Sequence, residues 1–457
     1  MGTKKNKSEK YFHDNLPSEQ ITRINEIIDI FTSGSTQELE VSFKNINYSN
    51  YVRIMRYYAD TTDENMISGY TSLDINLVMK GGNTLRVTLS DETELSKFIS
   101  TYSNSTRDHI IDNLSKLKPS DKIQLMLKNR ADRADLFMEE YDAYLKSTEE
   151  TPIDDIRSSI DTKSVENILY RYKTRISFAI DTTARLDITE VNASKRLSDL
   201  LSAPTIHEIE LEFVDHKIKN TMFYEVLYDV LKIMQDSSLP ISRTEANNVI
   251  AAYKKLLKTG DAYTLDMRSA ISLESQHIIN FIPNRYAITD KADGERYFLI
   301  LLESGIYLIS TNLVVRKTDV QLADSAYVDT ILDGELIKIL NHNVFMAFDV
   351  VYHNKTDYRN DDTYTLPVRK KVLDEVIDKG FGTYIHIEDY SEKHSEMELG
   401  KIRSYYTTEL KKYWTKMTER IAKCKTHDFI TPKDYLIPYG FGCAEGFVYA
   451  ELVWKLY

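Results

Sequence analysis

The sequence predicts an α+β protein of two successive domains, an antiparallel β-barrel or sandwich followed by a second sheet with helices. Three observations predict it. Between Glu38 and Phe213 short runs alternate apolar and polar residues with the period of two that half-buried strands show. Two segments of helical spacing follow, from Lys217 to Met234 and from Ser242 to Lys258. Strand patterns then resume near Tyr286 and run to the end, broken by one helical insertion from Pro367 to about Ile421.

Residues 1–18 are polar and lysine-rich and read as a disordered tail. Ile21, Ile24, Ile27, Ile28 and Phe31 then make a helical stripe. The strand series comprises Glu38–Phe43, Leu85–Leu89, Ile123–Lys128, Tyr172–Phe178, Ala184–Thr189 and Glu208–Phe213, which sets a β domain at 19–215. Residues 216–260 are expected to be a helical connection, its second helix opening on Ser242 with Glu245 three residues later. The second domain takes 261–457. No internal repeat, low-complexity tract or coiled coil interrupts this order.

The 457 residues suffice for two or three cores, and 42% hydrophobic with 28% charged residues is ordinary globular composition. No apolar run approaches the ~20 residues a membrane span needs. Met1–Lys7 has no apolar segment of the kind a secretory signal carries. Two cysteines, Cys424 and Cys443, cannot build a disulfide framework or a zinc site and point to a reducing interior. A net charge of −12 excludes a general nucleic-acid coat, so phosphate binding requires local basic pockets within an acidic shell.

Glu38-Leu39-Glu40 and Glu208-Ile209-Glu210-Leu211-Glu212 place glutamates at every second position, on one face of a strand. Alone, such a run is as readily a solvated sheet face. Here the acidic strands bracket strands with same-face bases: Arg86, Lys128, and Arg171, Lys173 and Arg175. Closed into a barrel, these would meet in a lumen, where buried charge needs a metal and an anionic ligand to offset desolvation. Carboxylate oxygens favour Mg²⁺ or Mn²⁺. The pattern resembles the triphosphate tunnel metalloenzymes, which include the RNA triphosphatases of yeasts, protozoa and large DNA viruses. That resemblance implies an eight-stranded tunnel with Glu38, Glu40, Glu210 and Glu212 as metal ligands. It implies Arg86, Lys128, Lys173 and Arg175 as phosphate ligands, with Asp187 and Arg185 as weaker candidates.

Lys291-Ala292-Asp293-Gly294-Glu295-Arg296 lies between two apolar runs and reads as a tight loop joining strands. A lysine amine attacks phosphorus only when neutral, against a free pKa of about 10.4, so a neighbouring cation such as Arg296 or a metal must depress it. By itself the hexamer could equally be a surface turn. Downstream come Asp333-Gly334-Glu335, Phe348-Asp349-Val350 and Glu445-Gly446-Phe447, each on a short apolar run. That order resembles the covalent nucleotidyltransferase superfamily of polynucleotide ligases and RNA guanylyltransferases, an ATP-grasp-like α+β fold. The resemblance implies Lys291 as nucleophile, Arg296, Glu335, Phe348 and Lys455 as nucleotide-binding, and Glu445 as a metal ligand. Val453 stands where that superfamily has a second lysine, and the OB fold that normally follows is not in the sequence.

The fused order resembles the N-terminal part of mRNA-capping enzymes of large DNA viruses, those of poxviruses, the African swine fever group and mimivirus-like viruses. It implies 5′-triphosphate RNA and GTP as substrates, a cap methyltransferase domain or subunit and RNA polymerase as partners, no membrane, and a cytoplasmic viral factory or virion as location. Two readings compete: an ATP-dependent RNA ligase with an accessory β domain, and a binding-only module with degenerate sites.

Overall fold

The computed structural model describes residues 6–34, 38–128, 134–159, 161–268, 289–290, 294–339, 342–359, 363–381, 386–387 and 450–451. The chain divides into two compact units, Met1–Met234 and Gln235–Tyr457.

The first unit opens with two helices, α1 (Lys7–Asn15) and α2 (Ser18–Thr32). The disordered tail expected over 1–18 is therefore corrected from residue 7 onward. Asn6 caps α1 by accepting from the Glu9 amide, 2.8 Å away, and Phe12 is fully buried with its ring against Tyr141 and Tyr224. The lysine-rich composition masks a helix that buries one side only. Phe12→Ala is expected to cost about 3 kcal/mol in urea unfolding, whereas a tail residue would cost nothing measurable.

The strands of this unit are β1 (Glu38–Phe43), β2 (Ile67–Met79), β3 (Thr84–Leu89), β4 (Ile123–Lys128), β5 (Ala134–Met138), β6 (Ala143–Thr148), β7 (Glu150–Pro152), β8 (Val165–Ala179), β9 (Ala184–Ser194) and β10 (Thr205–Phe213). They pair antiparallel in the order β5-β6-β1-β10-β9-β8-β2-β3-β4-β7. β6, second in this order, and β7, its last strand, are successive parts of one run. β6 pairs with β1, β7 pairs with β4, and only Glu149 separates them. The sheet thus curls until its edges join in an eight-stranded barrel, with β5 pairing along the edge of β6 that β1 leaves open, and closure removes exposed edges.

Three further helices, α3 (Tyr48–Thr61), α4 (Glu92–Tyr102) and α5 (Arg107–Leu114), interrupt a stretch whose sequence pattern predicts strands and connections. Each starts on a side-chain cap, Asn47, Asp91 and Thr106 respectively. Leu95 and Phe98 of α4 and Ile110, Ile111 and Leu114 of α5 pack on Leu73, Ile75, Leu77, Leu85 and Val87 of β2 and β3. A one-turn α6 (Ile156–Ser159) follows β7. The apolar side of the barrel is its outside.

The two helices expected within 216–260 are present, and their buried faces belong to different units. α7 (Asn220–Gln235) packs Phe223 on Phe213 and Tyr224 on Phe12, inside the first unit. α8 (Arg243–Leu257) buries Val249, Tyr253 and Leu257 in the second. Ser242 caps α8 as expected, accepting from the Glu245 amide, but the Glu245 carboxylate turns to Lys317 and Tyr307 rather than back to the cap.

The second unit holds β11 (Thr289–Asp290), β12 (Glu295–Leu302), β13 (Gly305–Ser310), β14 (Val315–Lys317), β15 (Thr330–Ile339), β16 (His342–His353), β17 (Thr356–Asp357), β18 (His386–Ile387) and β19 (Ala450–Glu451). Its main sheet runs β14-β13-β12-β15-β16-β17, with β18 also on β16. One face, with Leu299, Leu308, Leu332 and Val350, packs on Leu373 of α9 (Leu366–Glu375) and on Val376 and Ile377 just after it. The other face, with Phe298, Ile300, Ile309, Ile331 and Val351, packs under α8.

Candidate functional site

The barrel encloses charge. Register fixes this: Glu212 lies opposite Glu40 and Arg185, Glu210 opposite Ser42 and Asp187, and Glu40 opposite Lys146, so all share the face away from the buried Leu39, Val41, Leu186 and Leu211. Every sequence-predicted tunnel residue faces this lumen. Arg86 and Lys128 both meet the Glu150 carboxylate, and Lys128 lies 4.0 Å from Glu38. Lys173 pairs with Asp74. Arg175 spans Asp187 at 2.6 Å and Glu210 at 2.9 Å, while Arg185 holds Glu212 at 2.5 Å. Asp187 and Arg185 are thus full members of the network.

Three members escaped the sequence reading: Asp74, Lys146 and Glu150. Lys146 donates to Glu40 at 2.6 Å and to Ser42 at 2.7 Å. The signal was present, because Ser72-Leu73-Asp74-Ile75 and Tyr144-Leu145-Lys146 alternate like the strands that were recognised. Glu150 had none, since β7 is three residues long.

The electrostatics are those of a site short of positive charge on one side. Burial and the nearby Glu40 push the Glu210 carboxyl above its ordinary range. Burial opposes ionisation of Glu40 too, but Lys146 and Lys128 hold it below the usual carboxylate range. Burial, opposed by Arg185, carries Glu212 to about 7. On the basic side, burial and Arg86 bring Lys128 down to about 8. Among the described residues no three metal-type side chains gather at ligand distance, each glutamate being drawn to a cation or hydroxyl instead. The donor set still suits a hard divalent ion, because Glu40 and Glu210 are buried oxygen donors that repel each other.

Glu212 gives a pH test. Folded, it keeps its proton up to about pH 7; unfolded, it gives it up near 4.5. Between those values the folded state binds more protons, so this group's contribution to stability falls as pH rises. Metal-free Glu212→Gln protein should therefore melt higher than the parent at pH 8, with the difference closing by pH 5. Thermal melts at the two pH values check it, and an unchanged difference would remove the buried-carboxylate account.

In the second unit a second cluster forms on the α8 face of the sheet, past its last apolar residues. Arg296 lies opposite Glu335 in register and grips Asp333 with two bonds, Nε to Oδ1 at 3.0 Å and Nη2 to Oδ2 at 2.6 Å. Burial carries Asp333 to about 6 despite that pairing. Asp333 lies opposite Asp349 but Gly334 lies opposite Ala347, which leaves Phe348 as the extra residue of a bulge. Its ring sits 5.5 Å from the Arg296 guanidinium. Asp349 in turn accepts from the buried Arg369 at 2.7 Å and lies 3.6 Å from Arg268. Neither arginine carried a sequence signal.

Asp333-Gly334 lies in the middle of β15. A Cβ at Gly334 would stand 2.5 Å from the Met346 carbonyl and the Phe345 ring, so only glycine lets the two strands meet. Gly294 is under the same constraint from Leu336 and Ile337, and its amide donates to the Glu335 carboxylate at 3.2 Å. Removing one partner of the Arg296–Asp333 pair leaves a buried charge. Asp333→Ala should cost about 3 kcal/mol in denaturant unfolding of the second unit.

Lys291, Glu445 and Lys455 lie outside the described residues. The backbone nearest them is described: Thr289–Asp290 pairs antiparallel with Ala450–Glu451. The strand ending just before Lys291 therefore runs beside the strand lying between Glu445 and Lys455.

Residues 238–393, which contain Lys291 and the Arg296–Asp333–Phe348 cluster, match the sequence pattern of the mRNA capping enzyme catalytic domain. Across its whole length the chain is similar to a probable mRNA-capping enzyme of Acanthamoeba polyphaga mimivirus, 42% identical over 463 aligned residues. The alignment covers 100% of this chain and 39% of that relative, so the chain spans well under half of the relative's length. The crystal structure of the RNA triphosphatase domain of a mimivirus mRNA capping enzyme, described as trifunctional, is 35% identical. It aligns over 49% of this chain and 99% of its own, with a TM-score of 0.47. A monoclinic crystal form of the mimivirus capping enzyme triphosphatase gives 36% identity, 48% and 99% coverage, and a TM-score of 0.46.

Proposed function

We propose that this chain performs the first two reactions of mRNA 5′ capping. In the barrel, water attacks the γ-phosphorus of a 5′-triphosphate RNA, the bond to the β-phosphate oxygen breaks, and inorganic phosphate leaves a diphosphate end. In the second unit, the Lys291 amine attacks the α-phosphorus of GTP, pyrophosphate leaves, and the GMP so held passes to the RNA diphosphate. The observation that carries this reading is the inverted barrel, apolar outside and charged within. Folding gains little from burying so many ions, since buried pairs rarely repay their desolvation. A polyanion beside a cation site gives them a task.

Arg86, Lys128, Lys173 and Arg175 are the groups to clamp phosphate oxygens, and Lys146 joins them. Each is already paired with a carboxylate, so the incoming triphosphate exchanges ion pairs rather than meeting bare charge. Glu38, Glu40, Glu210 and Glu212 would hold the divalent ion, which supplies charge neutralisation and a lowered pKa for water. In the second unit, Asp333 and Phe348 fix the Arg296 guanidinium toward the nucleotide, and Glu335 holds the amide of Gly294, three residues after Lys291. GTP, triphosphate RNA, Mg²⁺ or Mn²⁺, a cap methyltransferase and RNA polymerase are the substrates, cofactors and partners this reading implies, in a cytoplasmic viral factory or virion. Phosphate release from γ-labelled RNA, abolished by chelation and restored by Mg²⁺ or Mn²⁺, tests the first step. Release that ignores chelation would end the tunnel assignment.

A further inference from the structure

Outside the lumen, among the described residues, the first unit carries a basic concavity that neither proposed reaction uses. It is a groove of about 470 Å³ between the end of α4, the start of α5 and the strand ends of β8 and β9. Arg107, Lys195 and Arg196 line it, with Glu166 as the single acid among the lining residues. All three cations are exposed, and among the described residues none is in an ion pair, whereas the lumenal cations are each matched to a carboxylate. On a chain of net charge −12, an unneutralised basic cluster in a concave site marks a place for an anion.

Its position names the anion. Asn167, another lining residue, precedes Arg171 by four residues on β8, about 13 Å along the strand. Arg171 faces the lumen, paired with Glu208 at 2.6 Å. The groove therefore lies at the rim of the barrel, at the end where β8 begins and β9 finishes. β10 begins at the same end, since Thr205 lies opposite Asn192. There Tyr48, 66% exposed, stacks with Tyr51 at 6.3 Å, and Tyr51 meets His207 at 4.3 Å. Unpaired cations in a groove and an open aromatic face are the two elements by which proteins hold single strands, one on phosphates and one on bases.

We propose that this rim binds the nucleotides that follow the 5′ end of a single-stranded RNA, with Arg107, Lys195 and Arg196 on its phosphodiesters and Tyr48 under a base. The proposal rests on the tunnel reading for the location of the 5′ end but not for the binding itself. It makes the barrel prefer RNA over free nucleoside triphosphates, since only RNA reaches the groove.

The test uses the full chain, and the probe is a 5′-hydroxyl RNA oligonucleotide, which has nothing to place in the lumen. The triple substitution Arg107→Glu, Lys195→Glu and Arg196→Glu should weaken its binding by tenfold or more. The slope of log affinity against log salt should fall by about 2, roughly 0.7 per lost phosphate contact. Tyr48→Ala should weaken binding roughly tenfold with the salt slope unchanged. Hydrolysis of free nucleoside triphosphate should be as fast in both variants as in the parent, and hydrolysis of triphosphate RNA slower. RNA binding unaffected by the triple substitution overturns the proposal. So does tighter binding of a phosphoserine peptide than of RNA in the same groove, or a parallel loss of nucleotide hydrolysis. If the parent hydrolyses neither triphosphate, the tunnel reading fails, while binding of 5′-hydroxyl RNA still decides the groove.

Discussion

Lys291→Ala is expected to abolish covalent labelling by [α-³²P]GTP. The proposed attack would form one P–N bond and expel pyrophosphate, and no other residue of 291–296 carries an amine side chain. Lys291→Arg should fail as completely, because a guanidinium with a pKa above 12 never presents a free lone pair. That second variant separates loss of the nucleophile from loss of a positive charge. The supporting groups should act differently. Phe348→Ala leaves Lys291 in place and should raise the GTP concentration needed for labelling more than it lowers the limiting rate. Labelling by ATP alone would select the RNA ligase, and labelling by neither nucleotide the binding-only module. Lys291→Ala protein that still labels with GTP would place the nucleophile elsewhere.

The fold was legible in the strands whose apolar face repeats most plainly, though the 13-residue β2 and the alternating β6 were not among the strands expected. Glu38–Phe43 and Ile123–Lys128 have the same bounds in sequence and structure. β7 was invisible because three residues cannot show a period, and barrel closure depends on it. α3 was missed because its buried side reduces to Ile54 and Tyr58 among tyrosines that serve strands as well. α1 hid behind its charge. Site residues followed the same rule. Lumenal charges could be found because alternation assigns them a face, whereas Arg268 and Arg369 reach Asp349 from a loop and a helix that no period connects to it. The bulge that aims Phe348 is a property of pairing between β15 and β16, and a single strand's sequence does not contain it.

Glu40→Ala should lower metal-dependent phosphate release by about 10²-fold or more. A divalent ion supplies several kcal/mol of charge stabilisation to phosphoryl transfer, and each 1.36 kcal/mol lost is a factor of ten. The informative part is what should not happen. Breaking a buried ion pair ordinarily destabilises a protein strongly, because the remaining partner is left uncompensated. Here Lys146 would keep the attraction of Glu210, and Glu210 would lose the neighbour that pushes its carboxyl up. Metal-free Glu40→Ala protein should therefore melt within a few degrees of the parent while its activity collapses. Glu208→Gln provides the contrast: among the described residues its carboxylate pairs with Arg171 at 2.6 Å, so release should fall far less. A large drop in melting temperature with Glu40→Ala would make the glutamate rows structural. Equal activity losses at positions 40 and 208 would deny the metal a particular place in the barrel. A lumen built for catalysis tolerates loss of a ligand in folding and not in rate, and measuring both quantities on the same two variants separates that lumen from one built for stability.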